Sequence, residues 1–264
     1  MTASSTNSSA TAGREAGLLN NGARVDHVRF KRKLRFGTTD IQSAMDLRDP
    51  DRLVLSYTRL MMAFLLFQPQ PQHILMIGLG GGSLPKFCHQ HLPGSDITVV
   101  EIDPEVIALR DQFEIPSDQS GFRVVWADGA DFVAVVDDQR FNVILVDGFE
   151  AEQMAPALGT QSFYHHCQRL LRHGGVVLCN LHELDIYYGV FMERIALAFD
   201  GNALVVSTRE CGNSIVFARK DTAIDARLPQ HLVRPASMAP GAWLGIEADL
   251  HDVLRAARRV KEYG

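Results

Sequence analysis

The sequence predicts an α/β fold in which helices cover both faces of a mostly parallel, seven-stranded sheet. Short apolar runs alternate with helical patterns through the middle of the chain. A glycine-rich turn, from Gly78 to Ser83, separates the first of these runs from a helix. Two closing runs, at 203–208 and 214–218, stand too close together for a helix to connect them, which indicates an antiparallel pair.

The N-terminal part is expected to be small and partly disordered. Residues 1–22 are rich in small and polar residues and predict a disordered tail. Residues 23–68 are predicted to form a short β segment and a helix. The strands cover 25–36 and 41–47 around the turn at 37–40, and the helix runs over 52–67 with its start near Asp49-Pro50-Asp51.

Residues 69–264 are predicted to form one large domain. Its first five strands are predicted at 73–77, 97–102, 122–126, 141–146 and 176–180. The helices are predicted at 83–92, 104–113, 130–137, 160–171, 185–199 and 247–263. Continuous apolar strands such as HILMI are typical of a parallel sheet that is buried on both faces.

Composition excludes some classes of function. The chain has 264 residues and a formal net charge of −5, which argues against a dedicated nucleic-acid binder. No apolar run approaches the roughly 20 residues of a membrane span. The four cysteines form no CxxC pair, and we interpret them as reduced thiols of a cytoplasmic protein. The paired histidines at 89 and 91 and at 165 and 166 are expected to be solvated, and no metal site is predicted.

The turn at Gly78, Gly80 and Gly82 is predicted to bind a nucleoside, because glycine lets a ligand approach the backbone closely. A tight strand-to-helix turn is the alternative. The next strand ends in Glu101, about 20 residues further on, where a carboxylate can accept both ribose hydroxyls. Asp128-Gly129 follows the third strand, and Asp128 could bind an adenine amino group or cap the next helix.

These residues resemble the spermidine synthases, or polyamine aminopropyltransferases, of the class I methyltransferase superfamily. The matching segments include ILMIGLGGGSLPK, VVEIDPEVI, WADGADF and VILVDGFEAEQMAPALGTQSFY. The resemblance implies a Rossmann-like catalytic domain over 69–264 that uses S-adenosylmethionine or decarboxylated S-adenosylmethionine. It extends the predicted donor site to Gln42 and Ile102, and it implies a homodimer. Gly81 stands where the family has an aspartate that holds the amine of the decarboxylated donor.

The resemblance also indicates where an amine acceptor would bind. Asp147 and Glu150 match the two family aspartates that grip the amine and act as base. Tyr57 matches a family tyrosine at the acceptor, and Arg59 places a cation where the family has an acid, which would favour an anionic group. His182, just past the fifth strand, could line the acceptor pocket or have a structural role.

The predicted function is therefore the alkylation of a small amine, by aminopropyl or methyl transfer. Two alternatives come from other classes. The first is a nucleoside-binding or interaction protein without activity, in which Phe149 could block the 147–150 loop. The second is a nicotinamide-dependent oxidoreductase, although Ser83 departs from the GxGxxG pattern at its last position.

Overall fold

The computed structural model describes residues 23–36, 41–150, 153–209, 212–226 and 228–263. The predicted tail at 1–22, the turn at 37–40 and Cys211 lie outside the described residues. The side chain of Glu150 also lies outside them.

A seven-stranded sheet forms the centre of the molecule, which confirms the predicted Rossmann-like methyltransferase fold. In chain order its strands are β4 (His73–Ile77), β5 (Asp96–Glu101), β6 (Phe122–Trp126), β7 (Phe141–Val146), β10 (Leu171–His182), β11 (Ala203–Ser207) and β12 (Asn213–Arg219). Across the sheet they are ordered β11-β12-β10-β7-β4-β5-β6. The pairs of β12 with β10 and β11 are antiparallel, and the other neighbours are parallel.

Smaller elements surround this sheet. An N-terminal sheet contains β1 (Ala23–Val28), β2 (Lys31–Phe36) and β3 (Ile41–Asp46), and β8 (Phe149–Glu150) pairs with β9 (Gln153–Met154). The α-helices are α1 (Ser56–Met61), α2 (Ser83–His91), α3 (Pro104–Ala108), α4 (Gly129–Val135), α5 (Gln161–Leu170), α6 (Tyr188–Ala198) and α7 (Pro240–Tyr263). Two 3₁₀ helices cover Met62–Leu66 and Pro156–Gly159.

The N-terminal segment differs from the prediction in two places. The single strand predicted over 25–36 is a hairpin, because the chain turns at Arg29, whose φ is 55°. The helix predicted from 52 begins only at Ser56. Asp46 accepts bonds from the backbone N–H and guanidinium of Arg48, and Arg52 N–H donates to the Asp49 carbonyl, so turns occupy the predicted helix start.

The apolar faces of the main sheet are covered by two hydrophobic clusters. One contains apolar residues of α2, of α7 and of the 3₁₀ helix Met62–Leu66, together with residues of the N-terminal sheet such as Leu34 and Met45. The other contains α5 and α6 on the opposite face. The N-terminal segment therefore shares the core of the main sheet, and the domain boundary near residue 69 stays a prediction.

One charged side chain is buried beneath the start of α2. Lys86 is only 2% exposed, and its Nζ donates to the carbonyl oxygens of Phe113 at 2.7 Å and Pro50 at 2.8 Å. Burial lowers the pKa of Lys86 from 10.5 to about 8. The folded state consequently releases this proton at a lower pH than the unfolded chain does.

Substitution of Lys86 by methionine tests this burial. Between about pH 8 and 10.5 the unfolded chain binds a proton that the folded state has released, so rising pH stabilises the wild-type fold. We expect the wild-type free energy of unfolding to rise relative to that of Lys86→Met across this interval. Urea unfolding at a series of pH values measures both. A difference between the two proteins that stays constant with pH would contradict the assignment.

Candidate active site

A cavity of about 480 Å³ opens at the edge of the sheet where β4, β5, β6 and β7 end. This volume lies in the range of about 300–1,000 Å³ that is typical of small-molecule sites. Most of the predicted donor and acceptor residues line it: Gln42, Tyr57, Gly78, Gly80, Glu101, Ile102, Asp128, Gly129 and Asp147. Parallel strands bring their carboxyl ends together, which explains why residues far apart in the chain meet here.

The glycine loop closes one wall of this cavity. Gly78 has a φ of 95°, and a Cβ atom there would lie 2.2 Å from the carbonyl oxygen of Asp147. Gly80 has a φ of 49° and also lines the cavity. Gly82 does not line it, and its donor contact stays a prediction. With a φ of 67° it is the N-cap residue just before α2, and a Cβ there would collide with Ile115.

Glu101 lies at the end of β5 with both carboxylate oxygens held in place. Oε2 accepts a bond from Leu79 N–H at 2.7 Å, and Oε1 accepts one from Asp103 N–H at 2.9 Å. The side chain is 8% exposed, and burial raises its pKa while these bonds lower it. A carboxylate has about four acceptor positions, so at least one is left after the bonds from Leu79, Asp103 and Ile102. The carboxylate is therefore oriented and able to accept a further hydroxyl.

Asp128 caps α4 from the end of β6. Its Oδ1 accepts bonds from Ala130 N–H at 2.6 Å and Asp131 N–H at 3.2 Å. Because both capping bonds use one oxygen, the carboxylate has a second oxygen for a ligand, and the two predicted roles are compatible. At Gly129, a Cβ atom would lie 2.5 Å from the Ile77 side chain.

Asp147 lies at the end of β7, on the same cavity as the glycine loop. Its Oδ1 accepts a bond from Asn180 Nδ2 at 2.8 Å. The Tyr57 hydroxyl lies within hydrogen-bond reach of the same carboxylate and of the Gln42 carbonyl oxygen, to which it can donate at 3.1 Å, and its single hydrogen serves one of the two acceptors at a time. Burial raises the pKa of Asp147, and the bonds from Asn180 and Tyr57 oppose that rise. The carboxylate is thus fixed in direction and made more basic.

Sequence reasoning missed Asn180 and Ser43. Asn180 is buried near the end of β10, where its Oδ1 accepts a bond from Asn213 Nδ2 at 3.0 Å. Its place at the carboxyl end of a strand was the available signal. Ser43 lines the cavity from β3. Nothing in the local sequence indicates that contact, because it depends on how the N-terminal sheet packs.

Arg59 and His182 do not line this cavity, and their roles at the acceptor stay predictions. The Arg59 guanidinium faces α7, where Nε lies 3.4 Å from Asp249 and Nη1 donates to the Val54 carbonyl at 2.9 Å. The ion pair with Asp249 on α7 holds the Arg59 side chain away from the cavity. His182 ends β10 opposite Asn213, beside Gly212.

The cavity is open despite Phe149, which lines its wall without filling it. Within the described ranges, no group of three or more His, Cys, Asp or Glu side chains is arranged to hold a metal ion. None of the helices in these ranges combines the length and the apolar character that crossing a membrane requires.

The fold and the site define a Rossmann-like α/β protein in which a glycine loop and oriented carboxylates border one cavity. Residues 54–193 match the model of the spermine/spermidine synthase domain, and the chain belongs to that family. It is a transferase that uses S-adenosylmethionine or the decarboxylated form to alkylate an amine acceptor, and its relatives favour neither alternative function.

One curated relative and two solved structures show what the chain is similar to. The polyamine aminopropyltransferase of Chromobacterium violaceum is 43% identical over 188 residues, which cover 71% of this chain and 72% of the relative. Human methyltransferase-like protein 13, solved in complex with SAH, is 26% identical with a TM-score of 0.57, covering 76% of this chain and 93% of that one. A probable spermidine synthase from Corynebacterium glutamicum shares the fold, at 20% identity and a TM-score of 0.66 over 81% of each chain.

Substitution of Gly78 by alanine tests the contact between the loop and β7. The added Cβ meets a main-chain carbonyl in a backbone conformation that alanine rarely adopts, so we expect a loss of about 2–5 kcal/mol in the free energy of unfolding. Denaturant unfolding measures it. The matched control is Gly94→Ala, where a Cβ meets nothing within 4 Å. Equal stability of the two variants would contradict the role given to Gly78.

Proposed function

We propose that Gly78, Gly80, Glu101, Ile102, Asp128 and Gly129 bind the adenosine end of a sulfonium donor. Gln42 completes this donor site from the N-terminal sheet. The single observation that carries the proposal is the cavity itself, in which the glycine loop, a buried ribose-type carboxylate and Asp147 face the same space.

Asp147 would orient the acceptor amine and take its proton. Asn180 and Tyr57 contact the carboxylate beside the cavity, and burial raises its pKa, which makes it a stronger base. Tyr57 would also line the acceptor side. Glu150 lies on β8 and remains a prediction: it would be a second carboxylate that binds the acceptor amine.

The reaction is a displacement at a carbon next to the sulfonium. The nitrogen lone pair of the neutral amine forms the new N–C bond as the C–S bond breaks, and its electron pair passes to sulfur. The nitrogen then loses a proton, which Asp147 would accept. Much of the rate enhancement in such a step comes from holding nitrogen and carbon in line.

The acceptor we propose is a small amine, in keeping with the polyamine aminopropyltransferases among the relatives. Homodimer formation and a cytoplasmic location remain predictions from the sequence. Tight binding of NAD in place of an adenosyl donor would overturn the proposal as a whole.

Substitution of Asp147 by asparagine tests the acceptor half of the site. With a saturating donor, we expect turnover of the amine acceptor to fall about 10²–10⁴-fold, because general-base catalysis contributes about that much. Donor affinity, measured by calorimetry, should change little. In contrast, Glu101→Gln should mainly weaken donor affinity, because it removes the ribose carboxylate.

Two further variants complete this experiment. Asp221→Asn is the matched control, since Asp221 is an exposed aspartate just beyond β12, outside the residues that line the cavity. Its activity should equal that of the wild type. Glu150→Gln shows whether this second carboxylate also helps to orient the amine or to accept its proton. Unchanged turnover in Asp147→Asn would remove Asp147 from the mechanism.

A further inference from the structure

A chain of hydrogen bonds leads from Asp147 away from the cavity and across two neighbouring strands of the sheet. Asn180 Nδ2 donates to Asp147 Oδ1 at 2.8 Å, and Asn180 Oδ1 accepts a bond from Asn213 Nδ2 at 3.0 Å. The three residues stand just after β7, near the end of β10 and at the start of β12. The proposed function uses Asp147 and leaves the role of Asn213 open.

The register of the sheet brings these three residues together. The last paired residues of the parallel strands β7 and β10 immediately precede Asp147 and Asn180, which therefore lie side by side. In the antiparallel pair of β10 and β12, Asn213 is opposite His182. Residues two apart on a strand share one face, so Asn213 reaches Asn180 diagonally on that face. The contact thus follows from strand pairing.

The direction of the Asn180 amide is the property that matters to Asp147. The two ends of an amide differ, since the NH₂ group only donates and the oxygen only accepts. Asn180 is 2% exposed, so its oxygen needs a donor inside the protein while its NH₂ group faces Asp147. Among the residues that the structure describes, Asn213 supplies that donor. An acceptor in place of Asn213 would instead attract the NH₂ group of Asn180.

The bond from Asn180 is one of several influences on the Asp147 carboxyl. Burial raises the pKa of Asp147, and the bond from Asn180 is the largest influence that lowers it. The Tyr57 hydroxyl on α1 also lowers the pKa, and the charge of Glu101 at the end of β5 raises it. Loss of the Asn180 bond therefore leaves Asp147 with a higher pKa.

The titratable groups beside Asn213 belong to the end of β10. His182 is opposite Asn213, and Glu183 accepts a bond from Ser214 Oγ at 2.6 Å. Ser214 is the next residue after Asn213, and neighbouring residues of a strand point to opposite faces. The bond of Glu183 is therefore separate from the chain that leads to Asp147.

We propose that Asn213 is a positioning residue of the reaction, which acts through Asn180 by keeping its amide turned to donate to the Asp147 carboxylate. The inference rests on the proposed function, since it assumes that Asp147 accepts the proton of the acceptor amine. It extends the reaction centre to the first residue of β12, a strand of which no described residue lines the cavity.

The substitution Asn213→Asp tests the proposal, because it places an acceptor where Asn180 needs a donor. Asn213 is only partly buried, so the new carboxylate stays charged, competes for the same NH₂ group, and leaves the buried Asp147 to take up a proton. In the full chain, we expect the protonation midpoint of Asp147 to rise by about one pH unit. Infrared difference spectra recorded against pH measure it, and Asp147→Asn identifies the band of this carboxyl group.

Two comparisons separate the hydrogen-bond chain from the added charge. In an Asn180→Ala background the substitution at Asn213 can act only through its charge, so the shift should be clearly smaller. The matched control is Asn142→Asp, the same change at the start of β7, where Asn142 Oδ1 accepts backbone N–H bonds away from the cavity lining. Its midpoint should equal that of the wild type. Equal shifts in the two backgrounds, or no shift in Asn213→Asp, would overturn the role of Asn213.

Turnover separates this inference from the proposed function. With 1,4-diaminobutane as the probe amine and each sulfonium donor in turn, kcat of Asn213→Asp should fall about ten-fold at pH values below both midpoints. Affinity for methylthioadenosine, measured by calorimetry, should stay the same. If the midpoint does not move while Asp147→Asn loses turnover, this inference fails and the proposed function stands. If Asp147→Asn keeps full turnover, the proposed function fails, and the role of Asn213 in the reaction fails with it.

Discussion

The close approach of Gly78 to the carbonyl of Asp147 is the contact on which the active site depends. The backbone after β4 lies against the backbone after β7, so close that even a methyl group would overlap the carbonyl oxygen. Because of this contact, the glycine loop and the Asp147 carboxylate border a single cavity. The hydrogen bond from Asp147 N–H to the Ile77 carbonyl, at 2.9 Å, holds the same junction.

The position of the proposed donor residues on the cavity could be predicted from the sequence, and so could the main sheet. Buried parallel strands produce apolar runs that are easy to recognise, and their carboxyl ends meet at one edge. A glycine cluster after β4 and acidic residues at the ends of β5, β6 and β7 can therefore be placed at this edge from the sequence alone. Glu101, Asp128 and Asp147 lie on the cavity as expected. The positions of these residues follow from the local sequence pattern and from a sheet topology that many proteins share.

The positions of the remaining residues depend on how distant segments pack together, which the local sequence does not reveal. Arg59 was predicted from its neighbour Tyr57, but a partner 190 positions away on α7 determines where its guanidinium lies. Asp49 looked like a helix cap, yet the bonds between Asp46 and Arg48 keep that stretch in turns. Ser43 lines the cavity because β3 brings it there, and Asn180 contacts Asp147 because β10 lies beside β7.

The Tyr57 hydroxyl touches both the Gln42 backbone and the Asp147 carboxylate, and so joins the N-terminal segment to the main sheet at the cavity. The first part of the chain is therefore a structural component of the cavity. A fragment that starts at β4 would keep every strand of the large sheet. It would nevertheless lack one wall of the crevice and one of the two anchors of the carboxylate.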